Sequence, residues 1–214
     1  MKKLVKFAAV ILAATTIVSC SKGDPEASFA VKQKDGTNRL SSHASFSEAM
    51  ISISEIDFEI ESGVDSIEDV EMEYEGNYSF DVLAGTAIND MDPVEIPAGT
   101  YYELEFETGA GLEGGHSIIV KGTLTDSATS YDFEFYSKDE FEYEIESEEG
   151  EPANEGDQVD FVLLIDLEAL FTGLDFASAT VDSNNVIIIS ETSNENLLDL
   201  IEERLEEAFE FESE

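Results

Sequence analysis

Residues 101–108, YYELEFET, put Tyr102, Leu104 and Phe106 on one parity and Tyr101, Glu103, Glu105 and Glu107 on the other. A period of two is the spacing of an extended chain, whose side chains point alternately to opposite faces, and it cannot give a helix an apolar stripe. The pattern recurs in YDFEFY (131–136), with Tyr131, Phe133 and Phe135 in phase, and in FEYEIE (141–146), with Phe141, Tyr143 and Ile145 in phase. Repeated alternation of this kind predicts half-buried antiparallel strands with one wet face. In ISISEIDFEIE (51–61) the apolar phase slips between Ile53 and Ile56, where one extra residue enters, which predicts a β-bulge. VDFVLLIDL (159–167) is apolar on both parities and reads as a central strand covered on both faces.

Further strands are predicted near 27–33, 70–75, 78–83, 116–125 and 185–190, punctuated by Gly63, Gly76-Asn77, Gly85, Pro97-Ala98-Gly99 and the glycine-rich run 109–115. The acidic stretch 147–158 reads as an exposed loop, and 167–173 as one helical turn ending at Gly173. Residues 194–209 form the one long helical pattern, with Leu197, Leu198, Ile201, Leu205, Ala208 and Phe209 on one stripe and Ser193 or Asn194 as its cap. Its acidic end opposes the helix dipole, so it must be stabilised by docking. The expected fold is mainly β: a single antiparallel β-sandwich over 27–214 with one C-terminal α-helix at about 194–209.

The first 19 residues carry a different signal. Lys2, Lys3 and Lys6 precede an apolar run from Leu4 to Val18, and Ser19 precedes Cys20, the only cysteine. A positive head, an apolar core and small residues describe a secretory signal peptide. Fifteen residues make a helix of roughly 22 Å at 1.5 Å per residue, short for a bilayer core of about 30 Å. Residues 17–20, IVSC, resemble the bacterial lipobox, in which the cysteine receives a diacylglyceryl group and becomes the N-terminus. That resemblance assigns 1–19 as leader, Cys20 as the lipidation site and 20–26 as a short polar tether. It implies anchoring in the bacterial outer membrane, on its periplasmic or surface face. A lone cysteine also excludes an internal disulfide.

The formal charge is −40, and loss of the three leader lysines leaves seven basic and 50 acidic residues, about −43. Such a chain is a poor partner for nucleic acid and for anionic membrane surfaces. With 42% hydrophobic residues in a regular pattern it is not a disordered acidic tail. Two readings of the carboxylates stand. Spread along the whole chain, they suit a solvated shell in saline surroundings. Clustered oxygen ligands in NDMDPVE (89–95) and DSNN (182–185) would suit Ca²⁺, which takes six to eight oxygens, though neither has EF-hand spacing.

Catalytic constellations are absent by pattern. GAGLEG (109–114) has the G-x-G-x-x-G spacing, but a strand-like HSIIVKGTL follows where a dinucleotide site needs a helix, and Glu113 would repel phosphate. His43 and His116 are the only histidines, and no G-x-S-x-G elbow accompanies them. With Cys20 acylated, no Cys/His zinc site remains. With 50 acids, a glycosidase-like carboxylate pair has no specificity. Most of the aromatics fall on the inward phase and read as core; without tryptophan a sugar-stacking groove is weakened. Asn77-Tyr78-Ser79 matches a glycosylation triplet but reads as a turn. The expected function is therefore a non-enzymatic binding or structural module with no obligate cofactor. The alternatives are Ca²⁺-dependent capture of a glycan or peptide, and a carboxylate-dependent hydrolase.

Residues 78–107 contain Asp81-Val82-Leu83, then Gly85-Thr86, then Pro97-Ala98-Gly99-Thr100-Tyr101 entering the next strand. This resembles the hallmark of an uncharacterised lipoprotein domain family, number 4382 among the domains of unknown function. The resemblance implies a β-sandwich envelope domain. It assigns no residue a role.

Overall fold

The structure, a computed structural model, describes residues 23–34, 44–60, 70–89, 92–126 and 129–213. Its strands are β1 (Glu26–Gln33), β2 (Ala44–Ile60), β3 (Val70–Asp81), β4 (Thr86–Ala87), β5 (Val94–Glu95), β6 (Gly99–Thr108), β7 (Ile118–Asp126), β8 (Thr129–Ser137), β9 (Glu142–Ala153), β10 (Gln158–Ile165), β11 (Val186–Ile189) and β12 (Phe209–Ser213). Three short helices, α1 (Leu167–Phe171), α2 (Glu195–Glu202) and α3 (Leu205–Ala208), and a 3-10 turn (Phe176–Ser178) fall in the last quarter of the chain. The fold is mainly β and sandwich-like, as the alternation predicts.

One sheet has the order β12-β10-β1-β5; the other runs β11-β8-β7-β2-β3-β4, with β6 paired to β2 and β9 to β6. Aromatic side chains join the inner faces of the two sheets. Phe29 of β1 meets Phe80 of β3 edge-on at 5.6 Å, Tyr101 of β6 meets Phe161 of β10 at 5.8 Å, and Phe106 meets Phe209 of β12 at 5.3 Å. Offset and edge-to-face pairs at these distances add to the burial of the rings themselves.

The long strand β2 is shared by two successive partners along one edge. One of its edges pairs with β3; along the other, β7 takes residues 44–51 and β6 takes 53–60. Between them the register slips at Ser54, which is an extra residue relative to β6 and stands opposite Gly76 and Asn77 on β3. The slip puts Ile51, Ile53 and Ile56 all in the core despite their mixed parity, as the phase change in the sequence requires.

The glycine-rich run 109–115 packs against this bulge. Gly109 donates to the Ser52 carbonyl at 2.9 Å and Ser52 donates to that of Ser117 at 2.8 Å, so the loop leaves and rejoins β2 at one residue. A Cβ on Gly109 would lie 2.6 Å from the Ser54 Cβ, and one on Gly111 would lie 1.8 Å from the Asn77 Oδ1. These are close-approach glycines, and no helix N-terminus follows them.

Several expectations need correction. Gly76-Asn77 is not a turn between two strands; it is the bulge inside a continuous β3. Tyr101 faces inward with Leu104 and Phe106, because β6 itself slips between Tyr101 and Glu103 against β9. The acidic stretch after 146 is not a loop up to 158: β9 continues to Ala153, and only 154–157 turn. The sheets are not wholly antiparallel, since β1 runs parallel to β10 and β11 parallel to β8. β10 is central and buried on both parities from Phe161 to Ile165. However, Val162 and Leu164 lie outside the main core cluster, and cross-strand neighbours Lys32 and Glu210 flank Leu164.

The predicted C-terminal helix is broken. α2 ends at Glu202, α3 adds one turn, and 209–213 return as β12 antiparallel to β10. All six predicted stripe residues are buried. Asn194 stands at the N-cap position but adopts a left-handed conformation (φ 53°) and makes no capping bond. Its side chain instead accepts from the Thr180 amide at 2.8 Å and donates to the carbonyls of Thr180 and Ile188.

Candidate functional site

The strongest chemical feature of the structure is built by register alone. In the segments 55–59 of β2, 71–75 of β3, 103–107 of β6 and 142–146 of β9 every second residue is acidic, and pairing aligns them across four strands. Glu75, Glu55, Glu107 and Glu142 form one row; Glu73, Asp57, Glu105 and Glu144 form the next; Glu71, Glu59, Glu103 and Glu146 occupy the third set of register positions. Inward-facing partners such as Ile56, Phe106 and Tyr143 fill the opposite face of these strands. Directly opposed residues lie about 4.5–5.5 Å apart across strands, a distance at which like charges destabilise.

The electrostatics follow from that spacing. Partial burial raises the Glu107 carboxyl above the ordinary range, and the charges of Glu140, Glu55 and Glu142 add to the rise. Glu55, Glu73 and Glu75 each place a carboxylate oxygen within 4.8 Å of the others, close enough for one cation to touch all three. Among the described residues, no lysine or arginine forms an ion pair with Glu55, Glu75, Glu107 or Glu142. Three of the described cations serve elsewhere: Lys34 pairs with Glu210, Lys121 with Glu48 at 3.1 Å, and Arg204 bonds to two carbonyls of the α1 region.

The sequence-derived candidates fall as follows. Cys20 and His43 lie outside the described residues, as do positions 90 and 91 of NDMDPVE. In the DSNN turn Asp182 accepts from the Asn184 and Val186 amides and from the Asn184 side chain; the Val186 amide contributes most to holding its carboxyl below the usual range. Asp182 thus serves as the acceptor of its own turn. His116 contacts the Glu113 carbonyl at 2.6 Å and lies against Tyr136, with no serine–carboxylate pair assembled on it among the described residues. Asn77 is held in the bulge by Ser52, whose hydroxyl is 3.1 Å from its Oδ1.

A second acidic group was not foreseen. Glu202 at the end of α2 accepts from the buried Ser137 hydroxyl at 2.7 Å, and desolvation raises its carboxyl, with Asp139, Asp199 and Glu191 adding to the effect. The nearby Tyr143 hydroxyl is buried, has no hydrogen-bond partner among the described residues and is pushed up by burial, then by Glu202 and Glu206. Sequence offered no signal for this group, because β8, β9 and α2 meet only in the folded chain.

Two shallow depressions meet at Pro152: one of roughly 620 Å³, between residues 23–26 and 156–159, and one of roughly 590 Å³, between 98–100 and 153–155. Comparison with protein-family models, curated proteins and solved structures finds no match.

Proposed function

We propose that this chain is a lipid-anchored envelope module that acts by binding or scaffolding and not by catalysis, with an acidic sheet face whose charge is neutralised by cations from the medium. The observation that carries the reading is the registered carboxylate ladder of β3, β2, β6 and β9. A sheet that aligns like charges across four strands is stable where counter-ions are plentiful, and salt at 1 M shortens the Debye length to about 3 Å, below the cross-strand spacing. The anchor reading rests on the leader and Cys20. Intact mass of the protein expressed with its leader tests it. An N-terminal acylated cysteine is expected; a mature chain starting elsewhere, or with a free thiol, contradicts it.

A second reading, capture of discrete Ca²⁺ ions, is favoured by the convergence of Glu55, Glu73 and Glu75. Equilibrium dialysis with ⁴⁵Ca at fixed ionic strength separates the two. Saturable uptake abolished by Glu55→Gln supports the discrete site, and uptake unaffected by that change leaves only diffuse neutralisation.

A further inference from the structure

We propose that the end of the molecule formed by residues 23–26, 94–100 and 152–158 is the face held against the lipid headgroups, leaving the helical end turned outward. The inference rests on the anchor reading above and adds the orientation of the body on the membrane. Gly23 is three chain steps beyond Cys20, and an extended chain spans at most about 3.6 Å per residue. Gly23 therefore lies within about 11 Å of an acylated Cys20, which itself sits at the bilayer surface.

The attachment point on the body is fixed, because the chain is clamped as soon as it enters the fold. Pro25 is buried, and its carbonyl accepts from the Ile96 amide at 2.9 Å. On the other side the Glu26 amide donates to the Asp157 carbonyl at 3.0 Å. From there β1 runs inside its sheet between β5 and β10, parallel to β10. Both strands point away from the clamp, and β10 extends roughly 23 Å at about 3.3 Å per residue before α1 begins. The Tyr74 hydroxyl fastens β5 to this rim through the Glu95 carbonyl at 2.9 Å.

The chemistry of this face adds a condition. Asp24, Glu26, Glu95 and Glu155 are exposed on it, and residues 23–26, 94–100 and 152–158 contain no lysine or arginine. Lys22 in the tether is the nearest cation in sequence. The face therefore sits close to a neutral, zwitterionic surface and is pushed off an anionic one at low salt, where the Debye length of about 30 Å at 0.01 M exceeds the tether.

The test uses the acylated full chain in phosphatidylcholine vesicles containing a headgroup nitroxide lipid. With Cys20 blocked by its lipid, a fluorophore reports on one introduced thiol, from Glu155→Cys or from Ala169→Cys, the exposed position of α1. The label at 155 should be quenched several-fold more than the label at 169. Equal quenching, or more at 169, overturns the orientation while leaving the anchor intact. The two claims fail separately: wild-type protein that does not co-float with vesicles takes down the anchor and this inference together. With phosphatidylglycerol vesicles in 10 mM salt, quenching at 155 should fall and recover in 1 M salt; no fall overturns the electrostatic condition.

Discussion

Gly111 shows how a sequence motif can be legible as to type and silent as to cause. The run 109–115 announces a loop, but Gly109 and Gly111 are set by Ser52, Ser54 and Asn77, which belong to strands distant in sequence. A methyl group at 111 would sit 1.8 Å from the Asn77 Oδ1 and 2.2 Å from the Ser52 Oγ. Gly111→Ala should therefore destabilise by about 1–3 kcal/mol, the usual range for overpacking. At Gly23 the same addition meets nothing within 4 Å, so Gly23→Ala should stay within about 0.5 kcal/mol. Urea unfolding of both variants checks the contrast. Tyr101 offers a second test: its buried hydroxyl donates to the Pro97 carbonyl at 2.6 Å, tying the turn to the strand it enters. Tyr101→Phe should lose about 0.5–1.5 kcal/mol in the same assay.

At the scale of elements, strand alternation was the readable part. The phase slip at Ser54 could be read because a bulge moves apolar residues to the other parity within one strand. The slip between Tyr101 and Glu103 could not, since Tyr101 and Tyr102 give the same signal on either parity. The C-terminal helix was readable as an apolar stripe, but nothing local marks its break at Glu203 and Arg204, where no glycine or proline stands. The break serves a distant element: the Arg204 guanidinium donates to the carbonyls of Leu170 and Thr172, each at 2.9 Å, at the end of α1. Arg204→Met keeps the stem and removes both bonds, so it should cost about 1–3 kcal/mol through the carbonyls left behind, read by thermal unfolding.

Glu202, at the same junction, gives a pH prediction. Its folded-state carboxyl is raised, so the folded protein binds that proton more tightly than the unfolded chain does. The resulting stabilisation is complete below the ordinary carboxylate range and is lost as pH rises through the elevated value. Glu202→Gln should raise Tm relative to wild type at pH 7, with the difference shrinking as pH falls into the carboxylate range. A constant difference across pH would mean that ionisation at 202 is not the cause.

For the whole molecule, composition foretold an acidic surface but not its geometry. Strand pairing, which no local pattern specifies, places Glu55 beside both Glu75 and Glu107 and turns four separate alternating stretches into rows. Where residues 23–25 enter the body, at the start of β1 and between β5 and residue 157, is visible only in the fold. Stabilisation of this registered acidic face by cations of the medium is what the proposed function requires. Its most direct test is the Tm of residues 21–214 from 0.05 to 1 M KCl, repeated with CaCl₂ at matched ionic strength. A steady rise with KCl is predicted, with any added saturable rise in CaCl₂ removed by Glu55→Gln. A Tm that is flat or falling across the KCl series would contradict it.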